Sequence, residues 1–166
     1  MKRQLTLLYF LISALAFSQD KNFEKKINAL ISFSVDTISV STLEDHKKEY
    51  LVLDAREMDE FKTSHIEGAQ CVGFDYFNAD TFVNNHPNKD KPIAVYCSIG
   101  VRSEKIGEKL QNLGYTNVKN VYGGIFQWAN QENPLVNIRQ ESTEDVHTFS
   151  KEWSVWLEKG NKIYDK

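Results

Sequence analysis

The chain is poor in cysteine, with two in 166 residues, and that is too few for a disulfide framework to hold the fold. Neither sign of charge dominates. Twenty Lys and Arg stand against 23 Asp and Glu, so the net charge of -3 gives no electrostatic case for nucleic acid or an anionic membrane surface. No repeat or low-complexity stretch occurs, and the three prolines, Pro87, Pro92 and Pro134, sit where turns are expected. Nothing marks a boundary between large domains. The longest apolar run, Leu5 to Phe17, falls short of the roughly 20 residues a membrane-spanning helix needs.

That run has another reading. Lys2-Arg3 precedes it and Ala16-Phe17-Ser18 follows with small residues at two cleavage-site positions, the layout of an export signal cut before Gln19. Cleavage would leave residues 19–166 and, with Lys2 and Arg3 gone, move the net charge from -3 to -5. The expected location is periplasmic or secreted, with no membrane association after cleavage. In an oxidising milieu Cys71 and Cys97 must be a disulfide, inert buried thiols or thiols kept for chemistry.

Residues 19–36 are expected to carry a helix, because Phe23, Ile27, Leu30 and Ile31 recur at helical spacing. Ser41-Thr42-Leu43-Glu44 reads as a capping box that starts a second, short helix. Tyr50-Leu51-Val52-Leu53 and Ile93-Ala94-Val95-Tyr96 are continuous apolar runs, the pattern of strands buried on both faces of a parallel sheet. Ala69 to Val72 and Val118 to Tyr122 are further strand candidates. Ile106, Leu110 and Leu113 mark a helix ending at Gly114. Strands alternating with helices predict an α/β fold with a mainly parallel central sheet of about five strands, flanked by helices on both faces. Residues 135–166 are expected to add an amphipathic helix, with Val146, Phe149, Trp153, Trp156 and Leu157 on the face packed against the domain and Gly160 at its end.

The chemistry concentrates after the strand 93–96. Cys97 falls at its carboxyl end, the edge where open parallel sheets bind ligands. Ser98, Ile99, Gly100, Val101, Arg102 and Ser103 then lead into a helix. Gly100 allows the tight curl that points successive amides inward, and such a nest at a helix start favours a thiolate. Arg102 adds a positive charge suited to an anionic substrate. Taken alone, a cysteine after an apolar strand is more often a small buried hydrophobe. Gly100, Arg102 and the helix start together favour a reactive thiol. Ser98 and Ser103 are candidate hydroxyl donors to a bound anion, Ser103 being equally a helix N-cap.

Four segments resemble the rhodanese-like family, in its order: Asp54-Ala55-Arg56-Glu57-Met58-Asp59-Glu60-Phe61, His65-Ile66-Glu67-Gly68-Ala69, Cys97-x-x-Gly100-x-Arg102-Ser103, and Tyr122-Gly123-Gly124-Ile125-Phe126-Gln127-Trp128. The resemblance covers residues 37–134. It implies a sulfurtransferase in which Cys97 takes a sulfane sulfur from a donor such as thiosulfate, holds it as a persulfide among the loop amides, and passes it to a thiol or cyanide. The partners so implied are a small anionic sulfur donor and a thiophilic acceptor, protein thiols included, with no metal or organic cofactor. Four residues between Cys97 and Arg102 give the family's six-residue loop, where phosphatase and arsenate-reductase relatives use a wider one; this disfavours phosphate chemistry. Asp54 and Arg56 are supporting residues that either brace the loop, cap the next helix or touch substrate. His65 belongs to a turn framework, and His46, His65, His86 and His147 lack metal-ligand spacing. Cys71 is a buried thiol or a resolving partner for Cys97. The competing reading is a non-catalytic, sulfide- or redox-sensing or protein-binding module of the same family.

Overall fold

The computed structural model describes residues 21–164; the expected export signal and its cleavage point lie outside them. The chain divides between Ser32 and Phe33. On the first side, residues 21–28 form helix α1, which buries Phe23 and Ile27.

The larger unit is built on one five-stranded sheet. Its strands are β1 (Thr37–Ile38), β2 (Leu51–Asp54), β3 (Gln70–Cys71), β4 (Ile93–Tyr96) and β5 (Val118–Val121). They lie in the order β1-β5-β4-β2-β3, and every pairing is parallel. Parallel strands need crossovers, and these are the helices α2 (Val40–His46), α3 (Met58–Thr63), α4 (Ala79–Asn85) and α5 (Val101–Asn112), with α6 (Gly124–Asn130) following β5. Residues in β2 and β4 are buried at every position, which explains why these strands read as uninterrupted apolar runs rather than as alternating ones. Leu51, Leu53, Ile93, Val95 and Val118 join Phe82 of α4 and Ile106 and Leu110 of α5 in one apolar cluster. Each such side chain taken fully out of water contributes about 1.5–3 kcal/mol.

The strand order positions the site. From β2 the chain goes outward to β3, whereas from β4 it goes the other way to β5. The carboxyl ends of β2 and β4 therefore flank a topological switch point, where connections diverge and leave a crevice. Asp54 ends β2, and Cys97 directly follows β4.

Three local expectations need correction. Helix α2 begins two residues earlier than the capping pattern implied, because Ser39 and not Ser41 is its N-cap, Ser39 Oγ accepting from Thr42 N at 3.1 Å. Ser103 is no cap either; Gly100 is the N-cap of α5 and Ser103 lies inside the first turn. The expected amphipathic helix near the C-terminus does not form. Instead β8 (Asp145–His147) pairs in parallel with β9 (Asn161–Ile163), joined through a single 3-10 turn at Trp153–Trp156. Val146 favours extended backbone, and Phe149 sits at φ 64°, a left-handed conformation no α-helix continues through. Ahead of them, β6 (Leu135–Val136) and β7 (Ser142–Thr143) form an antiparallel pair. His65 and Val136 exchange backbone hydrogen bonds of 2.8 and 3.0 Å, tying this segment to the loop after α3. Val146 and Leu157 are fully buried as expected, Trp153 and Trp156 are half-buried, and Phe149, expected on the packed face, is 58% exposed.

Candidate active site

The loop after β4 is shaped by where its carbonyls go. Cys97 O and Ser98 O accept from Ile125 N and Phe126 N, amides in the first turn of α6, at 2.9 and 3.2 Å. Gly100 O accepts from Glu104 N at 3.1 Å and from Asn120 Nδ2 at 2.9 Å. With these oxygens drawn outward, amide hydrogen turns toward sulfur: Gly100 N donates to Cys97 Sγ at 3.2 Å. Ser103 Oγ lies 3.4 Å from the same sulfur and 2.7 Å from Asn120 Oδ1, so its one proton serves either acceptor.

Two glycines make this possible. Gly100 has φ 120°, which is open to glycine and strained for any other residue. At Gly124 a Cβ would stand 2.3 Å from Cys97 O and 2.7 Å from Ser98 O, so α6 can approach the loop only with no side chain there. Cys97 is 2% exposed, so the residue is almost wholly enclosed by the loop and the elements around it.

Behind the loop stands a carboxylate that the sequence reading did not single out. Arg102 forms a two-pronged pair with Glu60, Nη1 to Oε2 and Nη2 to Oε1, both 2.7 Å, and Nη2 also donates to Ser98 Oγ at 3.1 Å. Glu60 is 5% exposed and Arg102 21%. The sequence assigns Arg102 a positive charge suited to an anionic substrate, with no partner named for it. Its charge is instead committed to Glu60, and the pair fixes the loop to α3. Burial works against both charges, yet the shared hydrogen bonds outweigh it, holding the Glu60 carboxyl below and the Arg102 guanidinium above their ordinary values; the charge of a Cys97 thiolate also favours the guanidinium. Glu60 further accepts from Glu57 N at 3.0 Å, completing a capping box at the start of α3.

A lowered carboxylate stabilises the fold above the unfolded-state value of 4.5 and ceases to do so as pH falls through the folded-state value. Thermal unfolding should therefore be insensitive to this group at neutral pH and show a loss of stability below about pH 4.5. The Glu60→Gln variant should start less stable and show a shallower acid slope. An identical slope in the variant would assign the acid sensitivity to other carboxylates.

Asp54 and Arg56 form a second pair beneath the crevice. Both are fully buried; Arg56 Nη2 donates to Asp54 Oδ2 at 2.7 Å and to Ser64 O at 2.6 Å, while Asp54 Oδ1 also accepts from Arg56 N at 2.9 Å. The guanidinium carbon lies 5.8 Å from the centre of the Tyr96 ring. Of the roles open in the sequence, the geometry places Arg56 as a brace between β2 and the loop after α3, out of contact with solvent. His65 belongs to that same loop: its Nδ1 bonds to Phe61 O at 2.9 Å and its ring stacks on Phe61.

Cys71 pairs in register with Asp54, which pairs with Tyr96. Cys71 and the Cys97 region are thus separated by an intervening strand, about 10 Å at the usual spacing, beyond the roughly 7 Å that a disulfide spans. Both cysteines are free. Cys71 Sγ donates to Arg56 O at 3.6 Å, and burial, with the charge of Asp54, pushes its thiol up from the ordinary range. It does not serve as a resolving thiol in this conformation. Among the described residues no cluster of three or more His, Cys, Asp or Glu is placed to hold a metal ion, and no helix is long and apolar enough to cross a membrane.

A parallel sheet ordered 1-5-4-2-3, with a buried cysteine that accepts a loop amide directly after its central strand, defines a class of small α/β domains. The family model for the rhodanese-like domain matches residues 39–131, and the chain belongs to that family. Among curated proteins it is 29% identical over 102 residues to an adenylyltransferase and sulfurtransferase of Candida albicans, covering 58% of this chain and 23% of that protein. It is 36% identical over 87 residues to a tRNA uridine(34) hydroxylase of Photorhabdus laumondii, covering 48% and 23% respectively. The chain thus spans about a quarter of the length of these relatives. A crystal structure of a rhodanese-related protein from Thermoplasma volcanium superposes with a TM-score of 0.55 at 31% identity, covering 61% of this chain and 97% of the other.

Glu60, Asn120 and Gly124 are the site residues the sequence reading left unassigned. Glu60 and Gly124 were in view as parts of two family motifs, without a role. Asn120 carried its own signal, an amide side chain within the strand candidate 118–122, where burial requires a specific partner.

Proposed function

We propose that this chain is a sulfurtransferase that carries sulfane sulfur as a persulfide on Cys97. The observation that supports this best is the orientation of the loop: its carbonyls are tied to α6 and Asn120, and an amide donates to Cys97 Sγ at 3.2 Å. In the first half-reaction the Cys97 thiolate attacks the outer sulfur of thiosulfate. The new S–S bond forms as the bond to the sulfonate sulfur breaks, and sulfite leaves with the electron pair. In the second, a thiolate or cyanide attacks the outer persulfide sulfur, taking it away as a new persulfide or thiocyanate and returning the Cys97 thiolate. Both half-reactions move negative charge between sulfur atoms inside one set of fixed dipoles, so the cradle needs no reorganisation.

Relatives named as sulfurtransferases support the reading, and the neutralised Arg102 gives it a particular character. The Gly100 amide and the Ser103 hydroxyl, rather than the guanidinium, are placed to donate to the anionic sulfur. We further propose that the chain acts after export, in the periplasm or outside the cell, on a small donor and a thiol acceptor. The test is thiocyanate production from thiosulfate and cyanide by reduced protein. Turnover supports sulfur transfer; its absence with thiosulfate and also with an organic thiosulfonate would favour the non-catalytic module.

A further inference from the structure

The C-terminal segment, outside the family's matched residues, brings one side chain to the loop. Phe149 places its ring 5.8 Å from the Arg102 guanidinium carbon, although 58% of the residue is exposed. A ring left in water gains little from burial. Its backbone is nevertheless held at φ 64°, unfavourable for a bulky residue. The hold comes from both sides: Thr148 N donates to Ile163 O at 2.6 Å, binding β9, and Phe149 N donates to His147 Nδ1 at 3.2 Å. Arg102 in turn contacts Ser98 Oγ, one residue from the nucleophile. An exposed aromatic face is thus fixed beside the rim of the Cys97 loop, above a guanidinium whose charge Glu60 has neutralised.

Such a rim suits a particular donor. A free cation would select a dianion such as thiosulfate; a neutralised pair beside an apolar ring favours a sulfur carried on an apolar, ring-sized group. We propose that Phe149 is a specificity-determining residue that biases the site toward organic sulfur donors, aryl or alkyl thiosulfonates and persulfides, over inorganic thiosulfate. This rests on the sulfurtransferase reading. With an aryl thiosulfonate the Cys97 thiolate forms the S–S bond to the terminal sulfur, and the bond to the sulfonyl sulfur breaks with its electron pair leaving on the arenesulfinate.

The experiment compares kcat/KM for benzenethiosulfonate and thiosulfate, with cyanide as acceptor, in wild type, Phe149→Ala, Phe149→Asn and Phe149→Tyr. Because the two donors differ in intrinsic reactivity, the quantity read is their ratio across variants. The Phe149→Ala and Phe149→Asn variants should lower the aryl-to-inorganic ratio roughly fivefold, through KM for the aryl donor, on the scale of one aromatic contact. Phe149→Tyr should keep the wild-type ratio. Asn tolerates the left-handed backbone, so agreement between Asn and Ala assigns the effect to the ring and not to relaxation of the chain. A ratio unchanged in Ala and Asn, with both donors active, overturns this inference alone. Failure of the wild type to use either donor overturns the sulfurtransferase reading and this inference with it.

Discussion

Replacing Cys97 by serine should reduce thiocyanate formation on the order of 10³-fold or more, the scale on which removal of a covalent nucleophile acts. A serine hydroxyl is far less acidic than a thiol, and its oxygen cannot hold a transferable sulfur. The fold should hardly notice. Serine is close to isosteric, Gly100 N and Ser103 Oγ remain as hydrogen-bond partners, and melting should stay within about 1 kcal/mol of wild type, the range of small changes away from packing defects. The combination of lost turnover and kept stability discriminates between catalysis and scaffold. A protein-binding module would retain its partner through the same change.

The second large effect concerns stability. Asp54→Asn should destabilise the domain by about 3–5 kcal/mol, the cost of leaving a buried cation without its counter-charge. Arg56 is fully buried and its carboxylate partner is Asp54; it also donates to the Ser64 carbonyl and lies over the Tyr96 ring. Burial opposes its charge, and Asp54 is what reverses that. At roughly 2–4 °C of melting temperature per kcal/mol for a chain of this size, the midpoint should fall by about 6–20 °C. The double variant Asp54→Asn with Arg56→Met removes the stranded cation and should recover much of the loss. If the single variant melts like wild type, the pair is not the brace described. Because Ala55 N donates to Tyr96 O at 2.8 Å across β2 and β4, slackening at Asp54 reaches the residue before Cys97, and turnover should decline along with stability.

What the sequence revealed was local. The runs 51–53 and 93–96 were readable as buried parallel strands because neither has a solvent face, and the helix ending at Gly114 announced itself by spacing. The loop from Cys97 to Ser103 is contiguous, so its amides and its thiol could be read together. Glu60 could not, since its partner lies 42 residues away and only the packing of α3 beside the loop joins them. The pairing of Arg102 with Glu60 was hidden for that reason. Near the C-terminus, Val146, Phe149, Trp153 and Trp156 follow helical spacing, while the chain forms β8, a left-handed residue and a 3-10 turn that bury Val146 and leave Phe149 exposed. Spacing alone cannot tell a helix from two short extended segments that meet the same core.

The most direct measurement is the mass of the Cys97 peptide after the reduced protein meets thiosulfate. One added sulfur atom on that peptide, removed on adding cyanide with stoichiometric thiocyanate, is the expected result. An unmodified Cys97 peptide under conditions where thiocyanate still forms, or the added sulfur found on Cys71 instead, would contradict the account.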